Sequence, residues 1–154
     1  MRYTKIFIVR WSDSDANGHM RNTAYSEYAM DTRMGYLAEH GFPYPRFEEM
    51  GFAPVLLREE IDYLRELRLG DTVEVDFTQL GLAPDASRFK FVHDFWRPGG
   101  KKVARIVVSG GWMGIETRKL IRPPEALIEA IAGVPKAEGW DELPPIKRRP
   151  AEPA

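Results

Sequence analysis

Residues 11–22 read WSDSDANGHMRN, a stretch that gathers Asp13, Asp15, Asn17, Gly18, His19 and Asn22. Carboxylates, amides, an imidazole and a glycine at that density suit few chemistries. Calcium is one, because DSDANG reproduces the opening D-x-D-x-N-G of an EF-hand loop, where oxygen ligands surround a hard cation and the glycine permits a sharp turn. Counted from Asp13, however, the twelfth position is Ala24, where that loop requires a bidentate glutamate. Zinc fits no better, since one histidine among carboxylates is a poor tetrahedral set and no second histidine follows within a few residues. No metal is therefore expected. Asp, Asn and Gly also build ordinary turns and caps, yet a turn needs one or two such residues and this stretch holds five, with a histidine as the sixth polar-loop residue. That redundancy favours a functional reading beside the plain turn. A carboxylate at the mouth of a helix can attack a carbonyl carbon or activate water, while free backbone N–H groups and the positive end of the helix polarise the carbonyl oxygen.

Such a site needs a strand before it and a helix after it. In residues 3–10, Tyr3, Lys5, Phe7 and Val9 alternate with Thr4, Ile6, Ile8 and Arg10, and the β-branched and aromatic content predicts a strand. Asn22 is the expected N-cap of a helix over TAYSEYAMDTRMGYLAEH, with Tyr25, Tyr28, Ala29 and Thr32 on one face and Gly41 as its stop. Residues 55–69 are ambiguous: Leu57, Ile61, Leu64 and Arg68 fit helical spacing, Ile61 and Tyr63 fit a strand, and propensity favours helix. Beyond Gly70 and Asp71 the pattern clears. Val73, Val75 and Phe77 alternate with polar neighbours, as do Phe89, Phe91, His93 and Phe95, which predicts half-buried strands with His93 packed on a strand face. RPGGKK at 97–102 has hairpin-turn chemistry, and VARIVVSGGWMGIE is apolar on both faces except at Arg105, as in a central strand. Pro123 and Pro124 open a short helix that Gly133 closes. One early helix, a run of mostly antiparallel strands and a late short helix make the fold class α+β.

A chain of 154 residues suits one domain with its own core. With 22 basic against 23 acidic residues it has no overall field to attract nucleic acid or a membrane surface, and neither is expected as a partner. There is no cysteine, which removes disulfides and thiol nucleophiles. Neither a signal-type apolar run nor a membrane-length one occurs in the sequence, so a cytoplasmic protein is the expectation. Composition shifts near Val134. Residues 1–133 are read as the domain, and 134–154, rich in proline and charge, as a surface extension or partly disordered tail whose Lys147, Arg148 and Arg149 are solvated.

The stretch WSDSDANGHMRNTAYSEY resembles the D-x-D-x-x-G-H-x-N-N-x-x-Y motif of hotdog-fold acyl thioesterases of the 4-hydroxybenzoyl-CoA thioesterase-like group. WSDSDANGH is also similar to the W-x-D-x-D-x-N-x-H segment of plant acyl-ACP thioesterases. The resemblance implies a mostly antiparallel sheet wrapped around one long helix, and it makes the ambiguous segment a long strand. It places the catalytic carboxylate on Asp15 and catalytic roles on Asn17 and His19, with Gly18, Asn22 and Tyr25 at the substrate. Where the motif has two asparagines this chain has Arg21 and Asn22. Glu27 is a reserve carboxylate, because some hotdog thioesterases carry the acid on the helix. The implied activity is hydrolysis of a coenzyme A or acyl carrier protein thioester without further cofactor, by a homodimer or a tetramer built from it. A thiolate leaves without strong acid assistance, so one carboxylate and an oxyanion site suffice. Two rivals are a non-catalytic acyl-binding protein of the same fold and a hotdog hydratase. The latter's D-x-N-P-x-H signature is broken here by Gly18 after Asn17 and by the position of His19.

Overall fold

Alternation sets the first strand. β1 (Tyr3–Ile8) turns Tyr3, Lys5 and Phe7 toward the interior and leaves Ile6 and Ile8 on the exposed face. In the computed structural model, which describes residues 2–147, β1 pairs antiparallel with β3 (Thr72–Leu82). The sheet continues through β4 (Arg88–Arg97) and β5 (Lys101–Gly114) to β2 (Phe52–Tyr63), giving the order β1-β3-β4-β5-β2. The tight turn between β4 and β5 needs backbone that only glycine adopts freely: Gly99 and Gly100 have φ of 93° and 85°.

The sheet curls around α1 (Ala24–Glu39), which buries Tyr25, Tyr28, Ala29, Thr32 and Tyr36 against it. Inward rows of Val73, Val75 and Phe77, of Phe91, His93 and Phe95, and of Ala104, Ile106 and Val108 meet that face. Aromatic contacts fix the helix from both sides: Tyr28 stacks on Phe7 and Tyr36 meets Tyr3 edge-on, while Tyr25 packs on Phe95 and Tyr63.

Four features differ from the sequence reading or extend it. The ambiguous segment is strand β2, starting three residues earlier than 55 and ending at Tyr63, with the rest of it a loop. Pairing with Ala104–Gly114 of β5 outweighs helix propensity. The N-cap of α1 is Thr23 rather than Asn22, and among the described residues no side chain bonds to the helix's first N–H groups. A further short helix, α2 (Tyr44–Met50), follows α1, with Pro45 in its first turn and Gly51 at φ 75° ending it.

The fourth feature corrects the expected tail. After β6 (Leu120–Ile121) and α3 (Glu125–Ala132), residues Lys136–Glu142 form β7, parallel to β3. β1 reaches only as far as Phe77 on β3, so Gln79 to Leu82 would present an unpaired edge, and β7 covers it. Trp140 donates its indole N–H to Gln79 Oε1 at 3.0 Å, and Leu143 N–H donates to the Leu82 carbonyl at 3.0 Å. Arg148 and Arg149 of the basic run lie outside the described residues. No helix among the described residues is long and apolar enough to cross a membrane.

Candidate active site

The polar stretch is a loop held from below and from one side. Beneath it, Asp13 is 1% exposed and accepts from Arg10 Nε at 2.9 Å and from the Tyr28 hydroxyl at 2.6 Å. Its backbone carbonyl accepts from Arg21 N–H at 2.8 Å. The Arg10 hydrogen bond holds the Asp13 carboxyl below the usual carboxylate range, against the opposing effect of burial. Burial, reinforced by Asp13, pushes the Tyr28 phenol well above its ordinary value, so it stays a donor. This clamp joins the end of β1, the loop and α1 at one buried point.

From the side, the loop between β2 and β3 zips against the stretch. Met20 N–H donates to the Leu67 carbonyl at 2.7 Å, Leu69 N–H donates to the Gly18 carbonyl at 3.0 Å, and His19 bridges Arg68. The loop then closes on itself. Asp15 Oδ1 accepts from Asn17 N–H at 2.9 Å and from His19 N–H at 3.0 Å, and Asp15 N–H donates to the His19 carbonyl at 2.7 Å. Gly18 takes a φ of 75° to complete the turn. Asp15 is exposed, and among the described residues its Oδ2 has no hydrogen bond. The segment before the loop is a strand and a short 3-10 turn over Trp11–Asp13, not the helix that precedes an EF-hand loop.

Asp15, His19, Asn22 and Tyr25 line one surface cleft of about 380 Å³, whose far wall is Tyr63 and Glu66. Asn17 and Gly18 stand outside that lining and act through the loop's backbone instead. Asn22 is exposed, and its carbonyl accepts from the Tyr63 hydroxyl at 3.3 Å. Glu27 lies 3.5 Å from Arg21 Nη2 and is not in the lining. Tyr25 is both core and cleft: burial raises its phenol's pKa while one side faces the cavity. Sequence reasoning missed Tyr63 and Glu66, the latter 3.3 Å from His19 Nε2. Neither belongs to the motif, and nothing in the order of residues places the loop after β2 beside the loop after β1.

A sheet wrapped around one central helix, with the loop before that helix carrying the polar cluster, is the hotdog fold. Solved hotdog structures superpose on the chain. The 1,4-dihydroxy-2-naphthoyl-CoA thioesterase of Synechocystis does so with a TM-score of 0.78 at 19% identity, over 86% of this chain and 97% of that one. A Staphylococcus aureus protein solved in complex with CoA gives 0.79 at 22% identity, over 99% and 96%. The model of the thioesterase-like superfamily matches residues 9–131, and the chain belongs to that family. A protein of Aquifex aeolicus (strain VF5) described as "Putative esterase" is 30% identical over 87 residues, which span 56% of this chain and 65% of that relative.

Proposed function

We propose that the chain hydrolyses an acyl thioester, carried on coenzyme A or acyl carrier protein, to the free acid and the thiol in the cleft at the start of α1. The observation that carries this reading is the state of Asp15. Two backbone N–H groups fix Oδ1, and Oδ2 is left open in the cleft lining. One route has Oδ2 attack the thioester carbon: the C–S bond breaks, thiolate leaves, and water cleaves the resulting anhydride to regenerate the carboxylate. In the other, Asp15 takes a proton from water as the water oxygen attacks the same carbon, the C–S bond breaks, and the departing thiolate takes up that proton. Either way negative charge develops on the carbonyl oxygen. Ala24 N–H is taken by the Arg21 carbonyl, but the Tyr25 and Ser26 N–H groups that follow it in the first turn of α1 have no side-chain cap among the described residues and are the candidates to meet it. His19 and Asn22 flank Asp15 in the lining and orient the substrate or the water.

A homodimer belongs to the same reading. β2 ends the sheet with one side unpaired among the described residues, and its inner face beside α1 is only partly covered. Joining two copies there pairs the edges and encloses the flank of the cleft. Light scattering at micromolar concentration is expected to give at least twice the mass of one chain; a stable monomer refutes the pairing.

Asp15→Asn tests the chemistry. The amide keeps the carbonyl acceptor for the Asn17 and His19 N–H groups, so the melt is expected to stay cooperative and near wild type. Turnover of an acyl-CoA panel, read by thiol release, is expected to fall roughly a hundredfold or more. Wild-type turnover by this variant removes Asp15 from the chemistry.

A further inference from the structure

Arg33 on α1 is buried without an ion pair among the described residues. It is 8% exposed, and among the described residues it makes one side-chain hydrogen bond, from Nη1 to His93 Nε2 at 3.4 Å. A guanidinium only donates, so Nε2 must accept. His93 Nδ1 faces the Asp76 carbonyl at 2.9 Å, which only accepts, so the proton sits on Nδ1 and the ring is neutral. Burial, and the Arg33 charge beside it, bring the His93 pKa down to about 3 and keep it so. A buried cation against a neutral ring is costly. Burial lowers the Arg33 pKa to about 10, and Glu59 on β2 offsets part of this through its field, without an ion pair.

Strand register places this cation relative to the cleft. Tyr25 packs on Phe95 and Tyr63, and Phe95, Ala104 and Tyr63 form one paired row across β4, β5 and β2. The next inward row is His93, Ile106 and Ile61, two residues or about 7 Å further along the strands. Tyr25 and Tyr63 also line the Asp15 cleft. Beyond the cleft, partly covered Ile61 is the apolar surface on the row that Arg33 touches, with Ile106 wholly buried beside it. Met30, one helical turn before Arg33, is 51% exposed, so this flank of α1 is open in the single chain.

We propose that Arg33 receives a carboxylate at the far end of the acyl group, so that the site takes the coenzyme A monothioester of a short dicarboxylic acid. The reacting carbonyl lies beside Asp15, the methylenes run over Ile61 along the open flank of α1, and the free carboxylate pairs with Arg33, which has no ion pair among the described residues. The proposal rests on the hydrolase reading of the cleft. A bidentate contact between guanidinium and carboxylate at this depth discriminates strongly against a methyl terminus, which leaves the cation uncompensated.

The test compares adipoyl-CoA with hexanoyl-CoA, equal in length and differing in the terminal carboxylate, on wild type, Arg33→Lys and Arg33→Met as full chains. Wild-type kcat/KM is expected to favour adipoyl-CoA at least about tenfold, mainly through KM, with the preference reduced in Arg33→Lys and lost in Arg33→Met. Equal use of both by wild type overturns the proposal and leaves hydrolysis standing, whether or not the variants fold. If neither thioester is hydrolysed, the hydrolase reading fails and melting decides the site. A larger Tm rise with adipoyl-CoA than with hexanoyl-CoA, absent in Arg33→Met, sustains the Arg33 receptor; equal rises overturn it. Conversion of an oligomer to monomers by Arg33→Met also overturns it, because the guanidinium then belongs to a carboxylate of a second copy.

Discussion

Asp13 and Arg33 each bury a charge against α1, one under its first turn and one near its middle. Asp13 has a cation in Arg10 and a neutral donor in Tyr28, and both hydrogen bonds are short. Arg33 has one long contact to a neutral imidazole. Asp13's partners come from its own loop and from the helix fifteen residues on, so the chain by itself completes that centre. Nothing among the described residues completes the other. A compensated buried charge acts as scaffold, and here it anchors the loop that displays Asp15. An uncompensated one marks a place where the fold gives up stability, and such places are where ligands are expected.

The largest effect expected from this contrast is the loss of the scaffold charge. Asp13→Ala leaves the Tyr28 hydroxyl buried without its acceptor and detaches Arg10, a cost of about 3 kcal/mol, or on the order of 10 °C in Tm. Thermal melts of the two proteins read it directly. Tyr28→Phe removes one of the two bonds and is expected to cost about 1 kcal/mol. pH adds a second readout. The folded-state pKa of Asp13 lies below the ordinary 3.8, so its contribution is fully present above about pH 4 and is lost as the pH falls through the lowered value. The Tm difference between wild type and Asp13→Ala should therefore shrink below pH 4. A difference that persists unchanged into strong acid shows that the charge is not what holds the clamp.

A smaller effect is expected at the uncompensated centre. His93 titrates near 6.5 when unfolded and near 3 when folded, so between those values the unfolded chain binds the extra proton and stability falls as pH is lowered. At pH 5.5, one unit under the unfolded value, the loss is about 1.4 kcal/mol relative to neutral pH. His93→Gln cannot titrate and should lose less stability by that amount over the same step, measured by urea melts at pH 7.5 and 5.5. Identical pH dependence in both proteins means that His93 gains a proton in the native state as readily as in the unfolded one. The contrast between a paired and an unpaired charge then collapses.

Much of the frame was legible in local pattern. Period-two alternation located β1, β3 and β4, the two prolines and Gly133 bounded α3, and RPGGKK marked a hairpin. Composition misled at the end of the chain. KAEGWDE reads as polar and breaks no rule as a tail, but it meets an unpaired backbone edge on β3, and backbone hydrogen bonds do not depend on side-chain polarity. Within the candidate site, the density of polar residues pointed to the loop, but not to the unlike roles of its two aspartates. Asp13 and Asp15 are two positions apart in sequence. One is buried beneath Tyr28 and the other is exposed in the cleft: a continuous strand would put both on one face, but Asp13 ends the 3-10 turn over Trp11–Asp13 and Asp15 opens the reverse turn that closes at His19.

By itself, then, the order of residues determined the periods of the strands, the helix that the sheet surrounds and the loop where carboxylates gather, since each depends on neighbours within a few positions. Only the tertiary structure decided which side chains from distant segments meet. The loop after β2 brings Glu66 to His19, β2 sets Tyr63 against Tyr25, and α1 lays Arg33 over His93 without an ion pair among the described residues. Those meetings are set by strand pairing and helix placement across some forty to sixty residues, where no local preference carries information.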